Sequence, residues 1–293
     1  MSLAIDRNTD LKKYNSWKIG GPADHFCLPQ TIDEMIEAVE YAKDLRLPIT
    51  ILGSGSNVLI PDSGLKGLVI CTKKFKGLET QKTKERFVIT AMAGEPKFSL
   101  AKAFIKENLP PGIFLSGLPG DVGGGIVMNA GIAEQMTPRE FHEMTDWVEV
   151  LRDGQIIRFE KSQLQWSYRH CLGWEPGIIV RAGFSWSLAD IDKTIKDKAA
   201  MFAKTRKDRQ PLEMPSCGST FVNPPGNSAG RLIQDSGLKG YQIGDAQVSL
   251  KHANFLVNLG NAKASDFVAL ISHIQKTVKE KFNIELKTEV KFL

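Results

Sequence analysis

The residues best suited to chemistry lie in two glycine-rich stretches and at three polar positions. The longer stretch is Ser116-Gly117-Leu118-Pro119-Gly120-Asp121-Val122-Gly123-Gly124-Gly125-Ile126-Val127-Met128-Asn129-Ala130-Gly131, in which six of sixteen residues are glycine. Bare backbone can approach a phosphate or a flat ring closely and aim several N–H groups at one anion. The shorter stretch, Gly53-Ser54-Gly55-Ser56-Asn57, directly follows the strand-like run Pro48-Ile49-Thr50-Ile51-Leu52. Each stretch alone also reads as a tight turn. Together they point to a large phosphate-bearing cofactor. The common nucleotide fingerprints are absent. Val58 stands where Gly53-x-Gly55 would need a third glycine, and no glycine-lysine-serine/threonine sequence occurs.

The three polar positions are Tyr168-Arg169 beside Trp166, the turn Ser216-Cys217-Gly218-Ser219 among Pro215, Pro224 and Pro225, and Glu289. Each has an ordinary reading. Arg169 suits a surface ion pair, and Ser219 suits a turn that bonds its own backbone. Glu289 alternates with lysines and so is expected to face solvent. Cys217 could be a nucleophile, but without a visible base it reads as inert. Residue patterns alone therefore lead to a cofactor-binding α/β protein.

These positions must be held by a sizeable scaffold. The chain has 293 residues, enough for two or three subdomains, and 42% of them are hydrophobic. Its net charge of +5 suits anionic small ligands better than nucleic acid. Cys27, Cys71, Cys171 and Cys217 are dispersed, so free thiols in a reducing compartment and no metal site are expected. No apolar signal core or membrane-spanning run is evident, and the chain reads as cytoplasmic.

Thr31 and Glu34 form a capping box ahead of a helix over 32–46, which feeds a strand at 48–52. Strands are expected at 26–28, 67–70, 87–91 and 178–184, and helices at 97–108 and 189–207. A hairpin at 146–151 and 155–159 turns through Asp153-Gly154. A helix over 265–282 with Ser265 as N-cap precedes an alternating terminal strand of Ile284, Leu286, Thr288, Val290 and Phe292.

Several ordered motifs then narrow the reading. Asn15-Ser16-Trp17-Lys18-Ile19-Gly20-Gly21-Pro22-Ala23, Leu52 to Asn57, Gly117-Leu118-Pro119-Gly120 with Met128-Asn129-Ala130-Gly131, Tyr168-Arg169, Gln210-Pro211-Leu212 with Pro215 to Ser219, Leu232-Ile233-Gln234-Asp235, and Val278 to Phe282 run nearly end to end. The chain resembles the UDP-N-acetylenolpyruvoylglucosamine reductase (MurB) family, in its shorter type II branch.

The resemblance implies an α+β fold. Residues 1–72 and 73–186 would be the two halves of an FAD-binding module of the vanillyl-alcohol-oxidase/PCMH type, and 187–293 an α+β substrate-binding domain. It implies non-covalent FAD, NADPH as reductant, and reduction of UDP-N-acetylenolpyruvoylglucosamine to UDP-N-acetylmuramate for peptidoglycan. Hydride would pass from flavin N5 to the enolpyruvyl β-carbon. Arg169 and Glu289 would stabilise the aci-carboxylate, with Glu289 protonated or sharing a proton, and Ser219 would protonate C2. Gly53, Ser54, Gly55, Ser56, Asn57, Gly117, Pro119, Gly120, Gly123, Gly124, Asn129, Ala130 and Gly131 would hold FAD. Tyr168, Arg231, Lys251, His252 and Asn254 would meet the UDP-sugar. No nucleic-acid or membrane partner is expected, and a monomer is compatible with this chemistry. The alternatives are another FAD oxidoreductase of the same fold and a non-catalytic derivative.

Three departures from the family pattern stand out. Asp121 replaces a small hydroxyl residue, and a carboxylate there would disfavour a pyrophosphate unless it turned away. Asp245 follows Gly244 where two glycines are usual. Ile132 to Met136 lacks further glycines.

Overall fold

A computed structural model describes residues 3–134 and 137–293, so Met1, Ser2, Gln135 and Met136 lie outside the described residues. The chain forms two contact units. One comprises residues 1–4, 27–54 and 70–206, and the other 5–26, 55–69 and 207–293.

In the first unit, helix α1 spans Ile32–Asp44 and leads to the strand Ile49–Leu52. Thr31 Oγ1 accepts the Glu34 amide at 3.2 Å, as the capping box requires. The Glu34 carboxylate reaches one residue further than expected and accepts the Gln30 amide at 2.7 Å. The main sheet is antiparallel, in the order Gln155–Glu160, Thr145–Arg152, Ile178–Ser187, Arg86–Met92, Leu78–Lys82. Asp153 and Gly154 both take positive φ, 50° and 75°, the twist that a two-residue hairpin needs.

Helix α2, Lys97–Lys106, buries Leu100, Ala101 and Phe104, and Phe104 meets Phe87 of the sheet edge-on at 5.8 Å. Phe98, on the same helix, is 52% exposed. Short helices α3, Pro111–Ser116, and α4, Val122–Val127, flank the glycine-rich turn. Helix α5, Ile195–Arg209, starts later than the expected residue 189. Asp192 explains the delay, because its carboxylate accepts the Thr194 amide at 2.9 Å and closes a turn just ahead of the helix.

The second unit has a four-stranded antiparallel sheet in the order Ser216–Ser219, Phe255–Asn258, Ala246–Val248, Gln242–Ile243. Helix α6, Ala229–Asp235, and helix α7, Ala264–Phe282, share its core. Trp17 is fully buried there; its indole donates to Leu256 O at 2.8 Å and packs on Phe267 at 4.4 Å. The motif around Trp17 thus serves packing.

Ser265 is not the cap of α7. The Asp62 carboxylate accepts the Ala264 and Ser265 amides at 2.8 and 3.0 Å. The alternating terminal segment is not one continuous strand. It makes a single bridge at Thr288 with Phe221, and only Lys291–Phe292 forms a strand, parallel to Val58–Leu59. Leu286 and Val290 are buried as expected, while Phe292 is exposed.

Candidate functional site

In the first unit the two glycine stretches meet at one carboxylate. Asp121 Oδ2 accepts the Ser54 amide at 2.6 Å, and Oδ1 accepts the Gly124 amide at 2.9 Å. A Cβ at Gly53 would overlap this carboxylate, so the bareness of Gly53 makes room for Asp121. Gly120 has a φ of +97°, and its carbonyl accepts the Lys97 amide at 3.0 Å. Other amides of the stretch bond within the protein: Gly117 to Phe114 O at 3.0 Å, Gly123 to Ala93 O at 2.8 Å and Ala130 to Gly125 O at 2.8 Å. Pro119 is exposed.

Lys97 was not among the residues singled out from sequence, yet it is buried beside Asp121. A signal was available, because Lys97 occupies the first position of the apolar stripe 97, 100, 101 and 104 on α2. Burial, aided by the Arg169 charge and opposed by Asp121, pushes the Lys97 pKa down to about 8. Burial raises the Asp121 pKa against the pull of the Gly124 amide and Lys97.

Arg169 sits in the two-residue turn of a hairpin, Gln165–Ser167 with His170–Leu172, and takes a left-handed φ of +58°. Its guanidinium donates to Gly131 O at 2.9 Å, lies 3.8 Å from Glu140 and stacks over Tyr168 at 4.6 Å. Asn129 ties the same region together, donating to Glu140 at 2.8 Å and to Ser167 O at 3.0 Å. Arg169 makes an ion pair, as one sequence reading allowed, but not at the surface, since only 17% of its side chain is exposed. Glu140 is a second residue that sequence reasoning missed, and nothing in the local pattern marks it.

In the second unit, Gly55 has a φ of +66° and lies against the backbone of Tyr14 and Asn15. The Cys217 thiol donates to Gly55 O and Val58 O at 3.7 and 3.6 Å. Burial pushes its pKa to about 12, against the lowering by the Val58 backbone, so this cysteine holds the loop as a neutral thiol. Asn57 reaches the end of the chain: its side chain donates to Glu289 O at 3.1 Å, and its carbonyl accepts the Lys291 amide at 3.0 Å.

Ser219 is half-buried after Gly218, whose φ is +75°. The next residue, Thr220, accepts the Glu289 amide at 2.8 Å and donates its own amide to Asn254 O at 2.8 Å. Ser219 and Glu289 therefore flank the same backbone junction. Glu289 is half-buried, against the exposure that alternation suggested, because the Thr220 and Asn57 bonds draw its backbone inward while Glu285, Lys287 and Lys291 stay exposed.

Asn254 is buried and doubly paired with Phe221, accepting its amide at 3.0 Å and donating to its carbonyl at 2.8 Å. His252 Nδ1 accepts the Asn254 amide at 3.2 Å, and burial lowers the His252 pKa, favouring the neutral ring. Gly230 of α6 lies next to His252 and Asn254. Arg231 is exposed and donates to Asn227 at 2.5 Å, while Lys251 donates to Lys207 O at 2.6 Å and lies 3.6 Å from Glu213. Asp245 holds the Asn261 amide at 2.9 Å, next to Gly244 at a φ of +55°. Among the described residues no cluster of three potential metal ligands occurs, and no helix is long and apolar enough to cross a membrane.

The glycine loops fit a large phosphate-bearing group in their bare backbone and positive-φ turns, and Lys97 and Arg169 supply positive charge in the same unit. They misfit at one point, where the Asp121 carboxylate already takes two backbone donors.

Comparison with known proteins agrees with this pattern. Residues 23–160 match the family described as FAD binding domain, and residues 210–293 match the UDP-N-acetylenolpyruvoylglucosamine reductase C-terminal domain. The chain is 42% identical over 293 residues to a UDP-N-acetylenolpyruvoylglucosamine reductase of Listeria innocua, covering 99% of this chain and 95% of the relative. It is 39% identical to that of Clostridium novyi, covering 99% and 92%. The crystal structure of the Thermus caldophilus reductase superposes with a TM-score of 0.80 at 32% identity, covering 99% of both chains.

Proposed function

The chain belongs to the UDP-N-acetylenolpyruvoylglucosamine reductase family, and on that premise we propose that it reduces UDP-N-acetylenolpyruvoylglucosamine to UDP-N-acetylmuramate with NADPH, using non-covalent FAD. The observation that carries the proposal is 42% identity sustained over 99% of the chain. When bound, FAD would supply the hydride-transfer chemistry between NADPH and the enolpyruvyl group, held by the glycine stretches Gly53 to Asn57 and Gly117 to Gly131.

The chain's own residues manage the charge and the proton. Arg169 is the fixed cation for negative charge growing on the substrate carboxylate. Its anchorage on Gly131 O and Glu140 supports this role, because a preorganised donor needs no reorientation as charge develops. Ser219 delivers a proton to C2, and Glu289 shares in stabilising the same carboxylate. Their common attachment at Thr220 supports pairing them in one task.

Gly53 to Asn57 hold the FAD pyrophosphate, and Gly117, Pro119, Gly120, Gly123, Gly124, Asn129, Ala130 and Gly131 pack along the cofactor. Tyr168, Arg231, Lys251 and His252 face the UDP-sugar, whereas Asn254 acts through Phe221. The division into 1–72, 73–186 and 187–293 belongs to the same reading; the reductase C-terminal family span, 210–293, falls inside its third part. A cytoplasmic location completes it, and a monomer is compatible with it.

The test is anaerobic NADPH oxidation by the FAD-loaded protein, with and without UDP-N-acetylenolpyruvoylglucosamine. Sustained turnover only with that substrate is expected. Ser219→Ala is expected to keep flavin reduction by NADPH while losing ~10²-fold or more in substrate reduction. Equal loss of both half-reactions would refute the role given to Ser219.

A further inference from the structure

Asp121 is the most unusual group in the first unit. Its side chain is 4% exposed, and both carboxylate oxygens are engaged with backbone amides, Ser54 at 2.6 Å and Gly124 at 2.9 Å. Those amides belong to the two glycine stretches, and the carboxylate covers the bare Cα of Gly53 that lies between them. An anion of the protein's own is therefore seated where bare backbone and N–H donors would otherwise receive one. Amides of this kind are what a diphosphate requires.

The ionisable groups facing Asp121 are few. Lys97 of α2 is buried beside it, Arg169 acts on Lys97, and the Cys71 thiol bonds to Gly53 O at 3.8 Å. Burial, with Asp121 adding to it, pushes the Cys71 pKa up to about 11, so Cys71 stays neutral. One lysine thus balances one carboxylate. A diphosphate arriving at the same donors would bring further negative charge against that carboxylate.

We propose that Asp121 holds, as an internal anion, the backbone amides that the FAD diphosphate needs, so that FAD binds together with a proton taken up by the Asp121 carboxylate. The inference rests on the FAD reading above. Protonation removes the competing charge and frees the Ser54 and Gly124 donors. It also converts Asp121 from an acceptor into an O–H donor, which can then face a phosphate oxygen. Burial, which already favours the protonated carboxyl, moves the group in the direction this coupling needs. The sign follows from linkage: if the bound state carries one more proton than the free state, affinity falls as pH rises past the pKa of free Asp121.

The experiment measures FAD affinity, by flavin fluorescence and calorimetry, for flavin-free wild-type protein and for Asp121→Ser and Asp121→Asn, from ~pH 5.5 to ~8.5. Asparagine keeps the shape and the capping acceptor, so it guards against loss of folding in the serine variant. The wild type is expected to lose up to ~tenfold in affinity per pH unit at the alkaline end and to take up about one proton per FAD, read from calorimetry in buffers of different ionisation enthalpy. Both variants are expected to bind with no such proton uptake, and Asp121→Ser to bind at least ~tenfold more tightly than wild type at the highest pH. Equal affinity and equal proton uptake in all three proteins would overturn the role of Asp121 and leave the FAD reading standing. Absence of FAD binding in all three at every pH would overturn both.

Discussion

Replacing Asn254 by leucine removes a side chain that satisfies two backbone groups of one buried residue. Asn254 accepts the Phe221 amide at 3.0 Å and donates to the Phe221 carbonyl at 2.8 Å; Asn254 is 3% exposed and Phe221 1%. Leucine keeps the branched outline and the number of heavy atoms but is bulkier, so some overpacking accompanies the loss of partners for a donor and an acceptor. Each orphaned group costs ~1–3 kcal/mol, and a loss of ~3 kcal/mol is expected for the pair, since the two share one site and are not additive. That corresponds to a fall in melting temperature of ~6–12 °C.

A second substitution tests the geometry itself. In Asn254→Asp the ionised carboxylate can still accept from the Phe221 amide but faces the Phe221 carbonyl with no proton to donate. Its folded pKa should therefore lie above the unfolded value of ~4. Stabilisation by the proton is then fully present below the unfolded pKa and is lost as pH rises through the folded one, so the aspartate variant should approach wild type in acid and fall behind at neutral pH. Thermal melts of the three proteins between ~pH 4 and ~pH 8 read both effects. A loss below ~1 kcal/mol in the leucine variant, or a pH-independent deficit in the aspartate variant, would refute the bracing role.

Two further expectations follow from the same structure. Asp62→Ala should cost ~1 kcal/mol by uncapping α7. Burial raises the Asp62 pKa, but the Ser265 and Ala264 amides outweigh it and lower the pKa overall, so the stabilisation is present above the unfolded pKa and lost as pH falls through the folded one. The gap between variant and wild type in thermal melts should thus close in acid, and a gap that persisted would count against the cap. The four cysteines are buried and form no disulfide, and burial first of all pushes the pKa of Cys71 to about 11 and those of Cys171 and Cys217 to about 12. A thiol reagent near pH 8 should react slowly with the native protein and with all four thiols after denaturation; a fast-reacting thiol in the native state would contradict their burial.

Much of the scaffold was legible because it follows local rules. The Thr31 cap, the Asp153-Gly154 hairpin and the apolar stripe of α7 each place their signal within a few residues. The family resemblance identified the fold class: an FAD-binding α+β module followed by an α+β C-terminal domain. What local pattern missed was set through space. Asp62 caps a helix that starts about 200 residues later, so Ser265 was a reasonable but displaced expectation. Glu289 is drawn inward by Thr220 and Asn57, neither of which its own alternation could reveal. Lys97 was readable as a charge on an apolar stripe, whereas the Glu140 partner of Arg169 carried no mark.

The second unit has a consequence for how the chain is made. Its core joins Trp17, Ile19 and Leu59 to residues from Cys217 to Val290, and the chain passes between the units after Ala4, Phe26, Ser54, Val69 and Arg206. On a ribosome working from the N-terminus, Trp17 emerges long before Phe267, the ring it packs against. Residues 5–26 and 55–69 must therefore wait with apolar surface exposed until the last helix has been synthesised, a period during which chaperone capture is useful. A fragment beginning at residue 207 would lack those side chains from its core, so a boundary drawn there by sequence order would not release a self-sufficient folding unit.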